Sequence, residues 1–158
     1  MILQTIVFAK VHEYISKPRR KRALMAKKKK VKKKKVFELV WAFEAFEHLD
    51  GFFTKRMFGG LAAYAHQKMV MMLSESPGER EYRGDVFDFD IWNGILFPTE
   101  YEYQESLQKE FPELIQHPVL KKWLYLPLES QNFEDIVEQC SQSIRRNDPR
   151  FGIFPKMG

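Results

Sequence analysis

The chain has 158 residues and a net charge of +5, with 44% hydrophobic and 15% aromatic residues. That length holds one domain and an extension rather than two domains, and the 14 Phe give it an aromatic-rich core. A single cysteine, Cys140, excludes an internal disulfide framework and suits a reducing compartment. No apolar run is long enough to span a bilayer, so a cytoplasmic protein without a membrane partner is expected.

The charge is divided. Residues 1–35 hold 14 of the 26 Lys+Arg and one acid, Glu13, for +13, which leaves residues 36–158 at −8. Electrostatic attraction to nucleic acid therefore belongs to the arm and not to the acidic remainder. Lys27, Lys28, Lys29, Lys30, Lys32, Lys33, Lys34 and Lys35 repel one another at helical spacing, so residues 1–35 are expected to be a disordered basic arm. Its functional reading is non-specific phosphate binding through residues 17–35, and the competing reading is a solvated tail. Residues 1–24 share no pattern with the rest. Arg19-Arg20-Lys21-Arg22 ahead of Met25-Ala26 is what in-frame translation of a purine-rich ribosome-binding site would give, so the functional chain is expected to start at Met25. The rival is a genuine bipartite arm.

Val36–Leu49 predicts a helix, with Val36, Leu39, Val40, Phe43 and Phe46 at helical spacing and Asp50-Gly51 closing it. Phe52–Phe58 leads into a first strand. Gly59-Gly60 predicts a bulge that curves the sheet, since neither a Lys-Ser/Thr pair nor GxGxxG spacing accompanies it. Leu61–Ala65 and Met69–Ser74 form a central strand pair hinged at His66-Gln67-Lys68. Met69, Met71 and Met72 read as core filling rather than a soft-metal site.

Residues 75–85 form a charged loop. Val86–Trp92 alternates and predicts a half-buried strand, with Asp88 and Asp90 on its wet face rather than as metal ligands. Asn93-Gly94 signals a two-residue turn. Thr99 and Glu102 form a capping box that starts a helix, and Lys122–Leu126 is a last strand stopped by Pro127. Asn132 caps a final helix whose stripe is Phe133, Ile136, Val137, Cys140 and Ile144. Cys140 is thus a small core residue. Pro149–Pro155 is apolar enough to dock as part of a 148–158 extension.

The sum is an α+β two-layer sandwich: an antiparallel sheet of about five strands with helices on one face. Arg56-Met57-Phe58-Gly59-Gly60, then Tyr64 and Lys68-Met69, resembles the N-terminal domain of TfoX/Sxy-like bacterial proteins over residues 36–147. YjbR-like domains share the layout. The hairpin tip His66-Gln67-Lys68 departs from the Asp-Gly-type turn frequent in that family. The resemblance implies no cofactor, metal or catalytic residue. His12, His48, His66 and His117 lie far apart in sequence. A non-enzymatic accessory or regulatory interaction protein is expected, with residues 75–85 and the aromatics around Trp92 and Trp123 as its surface. The alternative is a nucleic-acid-associated protein acting through the lysine arm.

Overall fold

Near-continuous apolar runs along Gly60–Ala65 (β2) and Lys68–Glu75 (β3) place two buried strands at the centre of the sheet. The computed structural model of the protein describes residues 34–156, and the folded unit begins at Phe37. The expectations of a disordered arm and of a start at Met25 fall on residues that, with Lys27–Lys30, Lys32 and Lys33, lie outside the described residues; Lys34 and Lys35 are exposed.

The sheet has six strands rather than about five. β1 (Phe53–Met57), β2, β3, β6 (Asn93–Phe97), β8 (Leu124–Pro127) and β7 (Ile115–Gln116) lie side by side in that order, every pair antiparallel. β7 is two residues long and too short to leave a sequence pattern. A separate small hairpin joins β4 (Glu81–Tyr82) to β5 (Asp85–Val86).

One sheet face, carrying Ala63, Met71, Leu73, Ile95, Phe97, Leu124 and Leu126, packs against helix α1 (Gln104–Glu110), helix α2 (Phe133–Arg145) and the segment after Phe37. The α2 stripe is buried as its spacing predicts, Cys140 included, and burial raises the thiol pKa above its ordinary value. The opposite face carries Ala62, Tyr64, Met69, Met72, Leu96 and Tyr125 and is covered by irregular chain. All three β3 methionines, Met69, Met71 and Met72, are buried.

Several local expectations are overturned. Val36–Leu49 forms a short 3₁₀ helix, Glu38–Phe43, followed by turns, not one α-helix. Phe46 N–H bonds the Phe43 carbonyl, which leaves the Ala42 carbonyl to accept from Ser141 Oγ at 2.9 Å. The start of the 3₁₀ helix is fixed from the sheet, because Glu75 Oε1 and Oε2 accept from the Glu38 and Leu39 N–H groups at 2.9 and 3.0 Å.

Gly59-Gly60 is not a bulge. Phe58 and Gly59, at φ +51° and +74°, form the two-residue turn between β1 and β2. Gly60 owes its identity to close approach, since a Cβ there would lie 2.5 Å from the Leu73 carbonyl oxygen. The irregularity falls in β3 instead: Ala63 pairs with Met71 and Tyr64 with Met69, so Val70 is the extra residue. His66 and Gln67, at φ +54° and +65°, make the β2–β3 turn, and His66 Nε2–H donates to the Ile144 carbonyl at 2.8 Å.

Asn93-Gly94 is not a turn but the start of β6. A Cβ on Gly94 would collide with the Leu126 carbonyl, so glycine is needed there for strand contact. Thr99 makes no capping box: its hydroxyl donates to the Arg150 carbonyl, tying down the C-terminal segment. Asn132 precedes α2 at φ +61° without a side-chain capping bond. Residues 87–92 are not a strand, for a reason that lies in the functional face.

Candidate functional site

The segment 87–92 divides its backbone groups between the 76–80 chain, where the Phe87 and Ile91 N–H groups donate to the Arg80 and Glu79 carbonyls at 2.8 Å each, and distant side chains, instead of forming a strand ladder. His117, fully buried, donates from Nε2–H to the Ile91 carbonyl at 2.6 Å. Its Nδ1 accepts from the Val119 and Leu120 N–H groups at 3.0 Å each, which fixes the neutral tautomer. Burial pushes its pKa down to about 4, against the pull of the Ile91 carbonyl. The Tyr125 hydroxyl donates to the Asp90 carbonyl at 2.6 Å and accepts from Asn93 N–H at 2.8 Å, and burial holds its pKa above the ordinary value. The Trp92 ring rests on His117 with centroids 4.4 Å apart. The Ser74 hydroxyl and the Ser76 N–H both donate to the Trp92 carbonyl, at 2.6 and 2.9 Å.

These ties arch the 76–92 and 117–123 segments over the sheet and leave a cavity of about 530 Å³. Gly60, Met72 and Leu96 line its floor, and Trp92, Trp123 and Leu120 form the walls. Phe58 stands at the rim, 92% exposed. Among the described residues Ser74, Ser76 and Glu79 are the polar lining residues, and Glu79 is the charged one. Volume and character match sites for small molecules or single side chains, which are mostly apolar with few polar groups.

The sequence motif divides between two ends of one hairpin. Phe58 and Gly60 line the cavity, with Gly59 in the turn. Met57 is half-buried, and Arg56 is exposed with its guanidinium 5.4 Å from the Phe37 ring centroid. At the far end Tyr64, its pKa raised by burial, stacks on Phe53 at 4.4 Å. Lys68 is 8% exposed and its Nζ donates to the Phe151 carbonyl at 3.1 Å. Burial lowers its pKa, opposed by Asp148. Met69 pairs with Ile153 through both backbone bonds, 2.9 and 3.0 Å.

Of the expected surface, Trp92 and Trp123 are indeed brought together, but as half-buried cavity walls. Asp90 is held by Arg80 at 2.9 Å, and Arg80 also reaches Glu129 at 3.4 Å. Among the described residues no group of three or more His, Cys, Asp or Glu is placed to hold a metal ion, and no helix is long and apolar enough to cross a membrane. Sequence reasoning missed Ser74 and Leu120, which become neighbours only through the loop ties, whereas Glu79 belongs to the 75–85 loop it named. Phe58 carried a signal: an aromatic residue before glycine at a hairpin tip. Compared with protein-family models, curated proteins and solved structures, the chain matches none.

Proposed function

We propose that the folded domain is a non-enzymatic interaction module that takes an apolar group of its partner into the cavity beneath Phe58, Trp92 and Trp123. The observation that carries this reading is Phe58 itself. It occupies a left-handed turn position, unfavourable for a bulky side chain, and leaves its ring 92% exposed beside an apolar cavity. Asn-Gly would satisfy the same turn with less strain. Strained residues persist where function uses them. The likeness of Arg56–Gly60, Tyr64, Lys68 and Met69 to the TfoX/Sxy N-terminal motif also supports a role without catalysis.

Phe58→Asn is expected to raise stability by about 0.5–1 kcal/mol in urea denaturation, from relief of the turn. The same variant should weaken binding of the neutral apolar dye N-phenyl-1-naphthylamine several-fold, read by dye fluorescence. A variant that is less stable and binds the dye unchanged would overturn the proposal.

A second reading rests on the charge division between +13 in residues 1–35 and −8 beyond them. The full chain would then retard duplex DNA without sequence preference. With roughly five to eight phosphates neutralised, the log–log salt slope is about −4.5 to −7. Replacing the eight lysines of 27–35 by glutamine should remove that binding, and retention of it would sink this second reading.

A further inference from the structure

We infer that the group taken into the cavity is a methylated ammonium, a cation without a polar N–H shell, carried on a short apolar arm. This rests on the cavity being the binding site proposed above. Three features select that chemistry.

The first is charge. Among the described residues Glu79 lines the cavity and no basic residue does. Among the described residues no hydrogen bond or ion pair engages the Glu79 carboxylate. The nearest arginine in sequence, Arg80, is already occupied by Asp90 and Glu129. Arg56, beside the rim in sequence, has its guanidinium over the Phe37 ring, part of the helix-side core. An anion would meet an uncompensated carboxylate, and a neutral apolar ligand would leave it unused.

The second is aromaticity. Phe58, Trp92 and Trp123 surround the opening, and aromatic faces attract cations through the ring quadrupole, tryptophan most strongly. The third is the floor. Gly60, Met72 and Leu96 offer methylene and sulfur surface whose side chains hold no acceptor stronger than a thioether. A primary ammonium would have to bury unsatisfied N–H groups there. A trimethylammonium head has none, so it can sit on that floor while its charge faces Glu79 and the rings.

Free choline-type molecules and trimethylated lysine side chains share this head group. Full-length protein is titrated with choline and with its uncharged carbon isostere, 3,3-dimethylbutan-1-ol, following tryptophan fluorescence. Trp92 and Trp123 report on the cavity, whereas Trp41 packs edge-on to Phe133 on the helix side. Choline should bind roughly three- to thirtyfold more tightly than the alcohol. Glu79→Gln, at an exposed position, should reduce that preference by weakening choline more than the alcohol. Equal affinity of the two probes, or a preference untouched by Glu79→Gln, would overturn the cation inference alone. Failure of both probes to bind would overturn the cavity reading with it. A trimethyllysine peptide then separates the sources: tighter binding than choline assigns the head group to a protein partner, and weaker binding assigns it to a small molecule.

Discussion

Phe151→Ala is expected to be the most damaging single truncation in the C-terminal segment, lowering stability by about 3–5 kcal/mol. The ring is 1% exposed and lies 5.9 Å from Phe97 and 6.5 Å from Phe111, centroid to centroid. Its removal empties a site bounded by the sheet and the chain just after α1, neither of which can collapse into it. Its backbone is also committed: the carbonyl holds Lys68, and Gly152 N–H donates to the Pro98 carbonyl at 2.7 Å. Arg150 adds an anchor, paired with Asp148 at 2.8 Å and Glu110 at 2.7 Å, and those bonds hold its pKa above the ordinary value. Urea denaturation of the full chain measures the cost. A loss below about 1 kcal/mol would mean that residues 148–154 are an appendage and not part of the core.

His117 is expected to make stability fall steeply with acid. It is neutral in the fold with a pKa near 4, against 6.5 for an ordinary histidine. As pH falls through 6.5 the unfolded chain takes up the proton first, so the native state loses stability down to about pH 4, below which both forms are protonated. The stabilisation is therefore complete above pH 6.5 and is lost downward, on the order of 3 kcal/mol across the window. His117→Asn keeps an acceptor near the Val119 and Leu120 N–H groups but does not titrate. It should be less stable at pH 7 by about 2–4 kcal/mol, because the Ile91 carbonyl is left unpaired in the interior. Its pH dependence between 6.5 and 4 should be correspondingly flatter. An unchanged slope in the variant would assign the acid sensitivity to other groups.

The parts of the fold that depend on one repeating pattern were legible. The α2 stripe from Phe133 to Ile144 follows helical periodicity, and β2 and β3 follow from apolar runs separated by His66-Gln67. Segments whose backbone bonds go to distant side chains were not. Residues 87–92 alternate like a strand, yet His117 and Tyr125 take their carbonyls. Asn93-Gly94 carries turn chemistry, yet the approach of Leu126 demands glycine in a strand. Val36–Leu49 has helical spacing, yet Ser141 takes the Ala42 carbonyl. Trp92 and Trp123 could be singled out as aromatic residues, but Glu79 joins them only through contacts between segments some 40 residues apart.

The enclosure of Lys68 makes its amine a timekeeper. The nitrogen lies 3.1 Å from the Phe151 carbonyl and 5.8 Å from the Phe154 ring centroid, under the segment that pairs Ile153 with Met69. That segment covers the amine, so the rate at which an acylating reagent labels Lys68 reports the open population of the C-terminal chain. The reaction is also a ratchet. An acylated Lys68 is larger and carries no charge, and it cannot re-enter the space from which the segment departed, so each labelling event records an opening that does not close.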